Sequence, residues 1–429
     1  METKGDKPDR TRVNEEREVL KISYVSQSKI PSREANSIHV MKMCSAFATE
    51  GHDVTLFIPE TLDVEPDIDN VFEFYGVHEN FEIKRLKLFL PNYPKWKHLR
   101  YSFMTANYIC RRRFDYVIGR DIHTCYFSAE LFKIPTFFEK HAPIHKTGIA
   151  LFNKLISSAW CLKLIVITNA LKEQYIEQYK MDAENIYVAP DGADKIPESI
   201  IPAKLIDKSN GMFNVGYIGH LYKGRGMEII EDIAIRCPYA FFHIIGGKKD
   251  DIAYWENKLE HLENIHFYGF VAPSQAASFG KSMDVLIAPY QKEVYTAGGL
   301  EKDQSTANWM SPLKIFEYMA IGKPIICSDM PVLREVLEDG VNGVLCPCDD
   351  INAWCTAIER LYKDKAWASQ LSENAKKMFE KYTWRQRAKG LAEIMRSETQ
   401  KNKTSNGIYI VRLVGALVTL LSGVINRKQ

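Results

Sequence analysis

Residues 284–327 admit few folds. Residues 284–289 (DVLIAP) and 324–327 (PIIC) are short apolar runs of the kind buried in parallel sheets. Between them, Ser311 and Pro312 read as a helix start, a hydroxyl N-cap followed by proline at the first helical position. Gly322, followed by Pro324, reads as the helix stop. Strand, loop, helix and strand in this order make one right-handed βαβ unit, and its loop 290–310 emerges at the carboxyl end of the first strand. Open α/β sheets bind ligands at that edge. The helix start offers unpaired amides to an anion, Lys314 adds a positive charge in the first turn, and Glu317 follows within reach of a neighbouring hydroxyl. This set suits a nucleotide diphosphate; a plain capped helix with a solvated Lys and Glu is the alternative.

The same alternation runs through the chain. Residues 19–25 (VLKISYV) and 53–58 (DVTLFI) read as strands around a helix at 37–50, with further strands at 116–118, 136–138 and 164–167. A second series follows at 214–218, 241–245, 265–268, 284–289, 324–327 and 343–345. Residues 188–206, broken by Pro190, Pro197 and Pro202, read as the linker. At 429 residues the chain exceeds one core and suits two. The expected fold is α/β, two doubly wound Rossmann-like domains (19–200 and 201–385) facing across a cleft. Residues 1–18, charged and poor in apolar side chains, read as a disordered extension rather than a signal peptide. Residues 386–406 read as a C-terminal helix and linker, and 407–429 as an apolar tail.

A net charge of +2 gives nucleic-acid binding no compositional support. The nine cysteines are odd in number and scattered, as expected of reduced thiols in a cytosolic protein. Cys346 and Cys348 have no second pair at zinc-finger spacing, and no metal site is expected. The first loop, SQSKIPSREANS, lacks G-x-G-x-x-G but places Arg33, Glu34 and Asn36 at a strand's carboxyl end. Arg120, Asp121, Glu139, Lys140 and His141 follow two later strands. Opening the second half, Gly219, His220 and Gly224 lie on a loop with P-loop glycine spacing, but Arg225 and Gly226 replace the Lys and Ser/Thr that hold Mg²⁺-ATP. An ATPase is therefore disfavoured. Glycine amides that approach a phosphate remain, with Arg225 as a permanent charge. Arg225 and Lys314, both at strand ends, bracket a diphosphate. A D-x-D pattern at Asp67 to Asp69 lies in an acidic loop far from that half and reads as solvated.

These residues, in this order, resemble the retaining nucleotide-sugar glycosyltransferases of the GT-B fold, group 1 (family 4), over about residues 20–395. GHLYKGRG resembles that family's diphosphate clamp, with Arg225 matching its second cation and His220 in place of its first. NIHFYGFV resembles the turn that contacts the nucleobase, which implies Gly269, Phe270 and Val271 there. SPLKIFEYMAIGKPIICSD resembles the E-x₇-E region and its following helix, which implies Ser311, Pro312, Leu313 and Lys314 at the donor and Glu317 on the ribose hydroxyls. The first glutamate of that pattern is absent: Trp309 occupies its position, and Glu301 or Asp303 nearby are the available substitutes. FFEKHAP resembles the segment that sets a histidine, here His141, beside the donor sugar. ANSIHV resembles the first loop and helix, facing the acceptor, with Arg33, Glu34 and Asn36 on that side.

The resemblance implies sugar transfer from a nucleotide-diphosphate sugar to a glycan or lipid-linked acceptor in cell-surface polysaccharide or glycolipid synthesis, without metal or other cofactor. The alternatives are a nucleotide-sugar epimerase and a non-catalytic binding subunit on the same fold. Between residues 83 and 114 the chain carries Lys84, Arg85, Lys87, Lys95, Lys97, Arg100, Arg111, Arg112 and Arg113 with no acidic residue. Residues 408–425 are apolar except for Arg412 and a few small hydroxyls. Together they predict a peripheral enzyme on an anionic membrane surface, the cytoplasmic face of the inner leaflet.

Overall fold

The computed structural model describes residues 18–60, 68–86, 94–295 and 305–406. Strands β1 (Lys21–Val25), β2 (Asp53–Pro59), β3 (Glu82–Leu86), β4 (Tyr116–Gly119), β5 (Thr136–Lys140), β6 (Cys161–Val166) and β7 (Ile186–Val188) form a parallel sheet ordered β3-β2-β1-β4-β5-β6-β7. Strands β8 (Phe213–Ile218), β9 (Ala240–Ile245), β10 (Ile265–Gly269), β11 (Val285–Ala288), β12 (Ile325–Ser328) and β13 (Val344–Cys346) form a second, ordered β10-β9-β8-β11-β12-β13. Both are doubly wound, and each reverses its strand order beside its first strand, between β1 and β4 and between β8 and β11. Those reversals open the crevices in which such sheets hold ligands.

Helices α1 (Ala35–Thr49), α2 (Val71–Tyr75), α3 (Pro94–Arg111), α4 (Ile122–Tyr126), α5 (Ile149–Ile156) and α6 (Asn169–Tyr179) belong to the first sheet's sequence. Helices α7 (Met227–Arg236), α8 (Lys249–Lys258), α9 (Pro273–Lys281), α10 (Leu313–Ile321), α11 (Ile351–Lys363) and α12 (Lys365–Phe379) belong to the second's. The last helix, α13 (Trp384–Asn406), crosses back: Trp384, Leu391 and Met395 are buried in the same core as Met41 and Phe47 of α1. Each large apolar side chain so buried contributes roughly 1.5–3 kcal/mol, so α13 fastens the end of the chain to the first domain.

Strands β3 and β7 were not expected. Both are sheet edges, and an edge strand needs no continuous apolar run; β3 reads EIKRL, with two exposed residues among partly buried ones. The start of α10 differs too. Pro312 takes the N-cap position, and the Ser311 hydroxyl accepts a hydrogen bond from the Asp191 amide (3.2 Å) rather than capping the helix. Glu301, Asp303, Asp67, residues 1–17 of the N-terminal extension and the tail 407–429 lie outside the described residues.

Candidate active site

The carboxyl edges of the two sheets face one another across a cleft of about 370 Å³. On the second domain's side, β8 runs into Gly219 and the loop to α7, while β11 leads through Tyr290 towards α10. Lys314, in the first turn of α10, points back across that sheet edge. Its Nζ stands 3.8 Å from the Tyr217 ring centroid and 5.3 Å from that of Tyr290. A Cβ at Gly219 would lie 2.9 Å from this nitrogen, so the glycine makes room for the cation. Lys314 is only 8% exposed, and Nζ has no hydrogen-bond partner among the described residues. Burial, reinforced by Arg225, pushes its pKa well below the usual lysine range. A buried cation without a counter-ion is costly, and an anionic ligand removes the cost.

Arg225 donates from Nε to the Tyr295 carbonyl (3.3 Å) and lies 5.6 Å from the Tyr290 ring centroid, which aims the guanidinium along the same wall. Glu317, one turn after Lys314, lines the cleft, and burial raises its pKa while Lys42 and Lys314 oppose the rise. Ser311, Pro312 and Leu313 form the lip above it, and Phe270 and Val271 line the far end. The Phe270 ring is covered by the Arg33 guanidinium at 3.9 Å and stacks on Phe74, so a base at this turn meets the backbone more than the ring.

His220 does not supply the first cation of a phosphate clamp. Its Nε2 lies 3.2 Å from the Arg33 carbonyl, an acceptor only, so Nε2 carries the proton and Nδ1 is left as a buried acceptor without a partner among the described residues. Burial lowers its pKa, and Arg225, Lys314 and Lys248 lower it further against the opposing Arg33 hydrogen bond. His220 is therefore a neutral bridge between the domains. Gly224 also differs from expectation. It stands at φ +82°, where a Cβ would approach the Glu293 carbonyl to 1.9 Å, so its lack of a side chain serves packing inside the domain. Gly224, Gly269 and the exposed Glu34 fall outside the cleft lining.

The first domain presents His141, Arg33, Asn36 and Arg120 to the cleft. Behind His141 is a buried polar cluster. Glu139, fully buried, accepts from Arg387 Nη2 of α13 (2.6 Å), from the Tyr24 hydroxyl (2.5 Å) and from His141 Nε2 (3.1 Å). Burial alone would raise its pKa, yet Arg387, His39 and His141 hold it well below the usual carboxylate range. His39 bridges Glu139 Oε1 (3.1 Å) and Asp191 Oδ1 (2.9 Å). Because Glu139 only accepts, His141 Nε2 carries a proton and Nδ1 is its acceptor. Burial, with Arg120 beside it, lowers the His141 pKa to about 3, so this histidine is neutral at physiological pH. Arg120 Nη1 is buried without a hydrogen-bond partner among the described residues, a second cation facing the cleft.

Sequence reasoning missed several of these parts. Asp191 sits in the linker's PDG turn, His39 on a buried helix face and Arg387 on the last helix; none carries a local signal. The Gly246 and Gly247 pair, at the carboxyl end of β9 and in the cleft lining, did carry one.

Residues 213–364 match the family described as glycosyl transferases group 1, and residues 37–195 match glycosyltransferase family 4. An uncharacterized glycosyltransferase of Methanocaldococcus jannaschii is 25% identical over 237 residues, 54% of this chain and 58% of that protein. The chain thus spans less than two thirds of that relative. Another from the same organism is 24% identical over 379 residues, 80% of this chain and 90% of its own. Among solved structures, Anabaena HepE in complex with UDP and glucose superposes with a TM-score of 0.65 at 15% identity, over 88% of this chain and all of that one. At that identity the likeness speaks for the fold.

Proposed function

Because the chain belongs to the group 1, family 4 glycosyltransferases of GT-B architecture, we propose that it moves a sugar from a nucleotide-diphosphate sugar to a glycan or lipid-linked acceptor with retention of anomeric configuration. The observation that carries this reading is Lys314, a buried amine without a hydrogen-bond partner among the described residues, beside Arg225 at the sheet edge. The diphosphate supplies the missing charge. HepE holds UDP on the same fold, which makes UDP-sugars the first donors to test.

In this reading Lys314, Arg225 and the first amides of α10 stabilise the negative charge that grows on the departing phosphate oxygen. Glu317 accepts from the ribose hydroxyls, and the backbone near Phe270 and Val271 meets the base. His141, neutral and oriented by Glu139, offers Nδ1 to a hydroxyl of the donor sugar. The acceptor oxygen bonds to the anomeric carbon on the face from which the diphosphate leaves, and the acceptor proton passes to the released phosphate oxygen. Configuration is retained without a carboxylate nucleophile.

The acceptor reading rests on surface chemistry. Helix α3 exposes Arg100, Phe103, Met104 and Arg111, a basic and apolar face that suits an anionic membrane. Part of the basic run is engaged at the surface by the protein itself: Arg85 donates to the Ile30 carbonyl, and Lys84 and Arg112 lie over Tyr108. No helix among the described residues is long and apolar enough to cross a membrane; in this reading the apolar tail 407–429, outside those residues, lies on the surface together with the basic face.

A panel of UDP-, GDP- and TDP-sugars, assayed for released nucleotide with and without polyprenyl-linked glycan, tests the proposal, with NMR of the product's anomeric proton. Acceptor-dependent release with retained configuration supports it. Acceptor-independent conversion of the sugar indicates an epimerase, and donor binding without turnover indicates a binding subunit.

A further inference from the structure

Apart from the cleft, three ligand-type atoms converge where β1 and β4 end: His98 Nε2 from α3, Asp121 Oδ1 at the start of α4, and His123 Nδ1 within it. All three lie within 4.8 Å of one another. His98 Nε2 is 3.0 Å and His123 Nδ1 4.0 Å from Asp121 Oδ1, and the two rings meet edge-on with centroids 4.6 Å apart. We propose that these residues hold a divalent metal ion of the zinc class that pins α3 to the strand ends.

Tetrahedral zinc with Zn–N and Zn–O bonds of about 2.0–2.2 Å sets its ligand atoms about 3.3–3.5 Å apart, a spacing the two distances bracket. Two imidazoles and a carboxylate match zinc rather than magnesium, which takes oxygen ligands. The surroundings are those of a supported ligand set. Asp121 is 4% exposed, and its other oxygen, Oδ2, accepts from the Ser102 hydroxyl (2.8 Å), the Thr124 amide (3.0 Å) and the Thr124 hydroxyl, which leaves Oδ1 turned to the histidines. His123 Nδ1 is buried without a hydrogen-bond partner among the described residues, and a metal would satisfy that lone pair. The Gln27 side chain touches both His98 Nε2 and Asp121 Oδ1. Its amide stands in the space between these two atoms, so ion binding requires the Gln27 side chain to swing aside, and a water completes the tetrahedron.

The other histidine cluster does not share these properties. Both nitrogens of His39 lie against carboxylates, Asp191 and Glu139, and Glu139 already pairs with the Arg387 cation. At His98 and His123 no such cation is in contact among the described residues, and both rings keep about 30% of their surface in solvent, so an ion can reach them.

Zinc chloride titration of the tag-free full-length protein tests the site, with cobalt substitution as the spectroscopic probe. One Zn²⁺ per chain, the visible absorption of four-coordinate Co²⁺, and a melting temperature raised by about 5 °C at saturating Zn²⁺ are expected. His98→Ala and His123→Ala should each weaken Zn²⁺ binding at least about 100-fold, whereas His78→Ala, away from the cluster, should not. Absence of stoichiometric Zn²⁺ and Co²⁺ binding by the wild-type protein overturns the proposal. So does undiminished binding in both histidine variants with a native far-UV spectrum.

Discussion

Lys314→Met removes a buried charge while keeping an apolar stem against the Tyr217 ring, and it should act in opposite directions on folding and on donor binding. In the unliganded protein Nζ is surrounded by Tyr217, Tyr290 and Arg225 and finds no hydrogen-bond acceptor among the described residues. The folded-state pKa lies below the unfolded value, so the unfolded chain binds the extra proton. The lysine therefore lowers stability most below its folded pKa, and the penalty fades as pH rises towards the usual lysine range. Lys314→Met should leave the melting temperature unchanged or raised, with the gain shrinking at high pH. In the donor complex the substitution deletes a charge-assisted phosphate contact worth about 1.5–3 kcal/mol, or roughly 10–150-fold in affinity. Calorimetric titration with UDP, run beside thermal denaturation, reads both effects. Because the diphosphate restores the lysine's proton, wild-type binding should also take up protons, seen by repeating the titration in buffers of different ionisation enthalpy. Wild-type affinity for UDP in Lys314→Met would remove this residue from the donor site, and a lowered melting temperature would refute the uncompensated charge.

Arg225→Ala should weaken donor binding or turnover by one to three orders of magnitude, and unchanged kinetics would dismantle the clamp. Glu317→Gln should cost less activity than Glu317→Ala, since an amide still accepts one ribose hydrogen bond; full activity in both variants would place Glu317 outside the site. Arg387→Met should destabilise the fold by about 3–5 kcal/mol, because Glu139 then keeps a buried charge without its guanidinium. The Glu139 pKa is depressed in the folded protein, so the stability it contributes is present above the unfolded carboxylate pKa and lost as acid takes the pH down through the folded value. Acid denaturation of the wild type that shows no such loss would count against the pairing. Deleting residues 407–429 should sharply reduce co-sedimentation with anionic liposomes at low salt, and full-length protein that stays in the supernatant there would defeat the membrane reading.

Interior strands were legible from sequence because parallel strands covered on both faces must be apolar throughout, as in residues 285–288 and 325–327. The positions that follow them, Arg120, His141, Gly219 and Lys314, were legible as strand-end or helix-start residues for the same reason. Edge strand β3 escaped because solvent on one flank permits charge, and β7, IYV, because three residues are too short a run to stand out. The tertiary structure alone decided what those positions meet. Glu139 and Arg387 are separated by 248 positions and pair only because α13 crosses back onto the first domain. His220, at the place of a cation, became a neutral bridge because closure brings the Arg33 carbonyl to its Nε2. Lys314 was legible as a first-turn cation suited to a diphosphate, but its burial between Tyr217 and Tyr290 follows from the order in which β8 and β11 are laid side by side. Local periodicity records which face of an element is covered; it carries no record of the partner that covers it, and the charge state of a buried group depends on that partner.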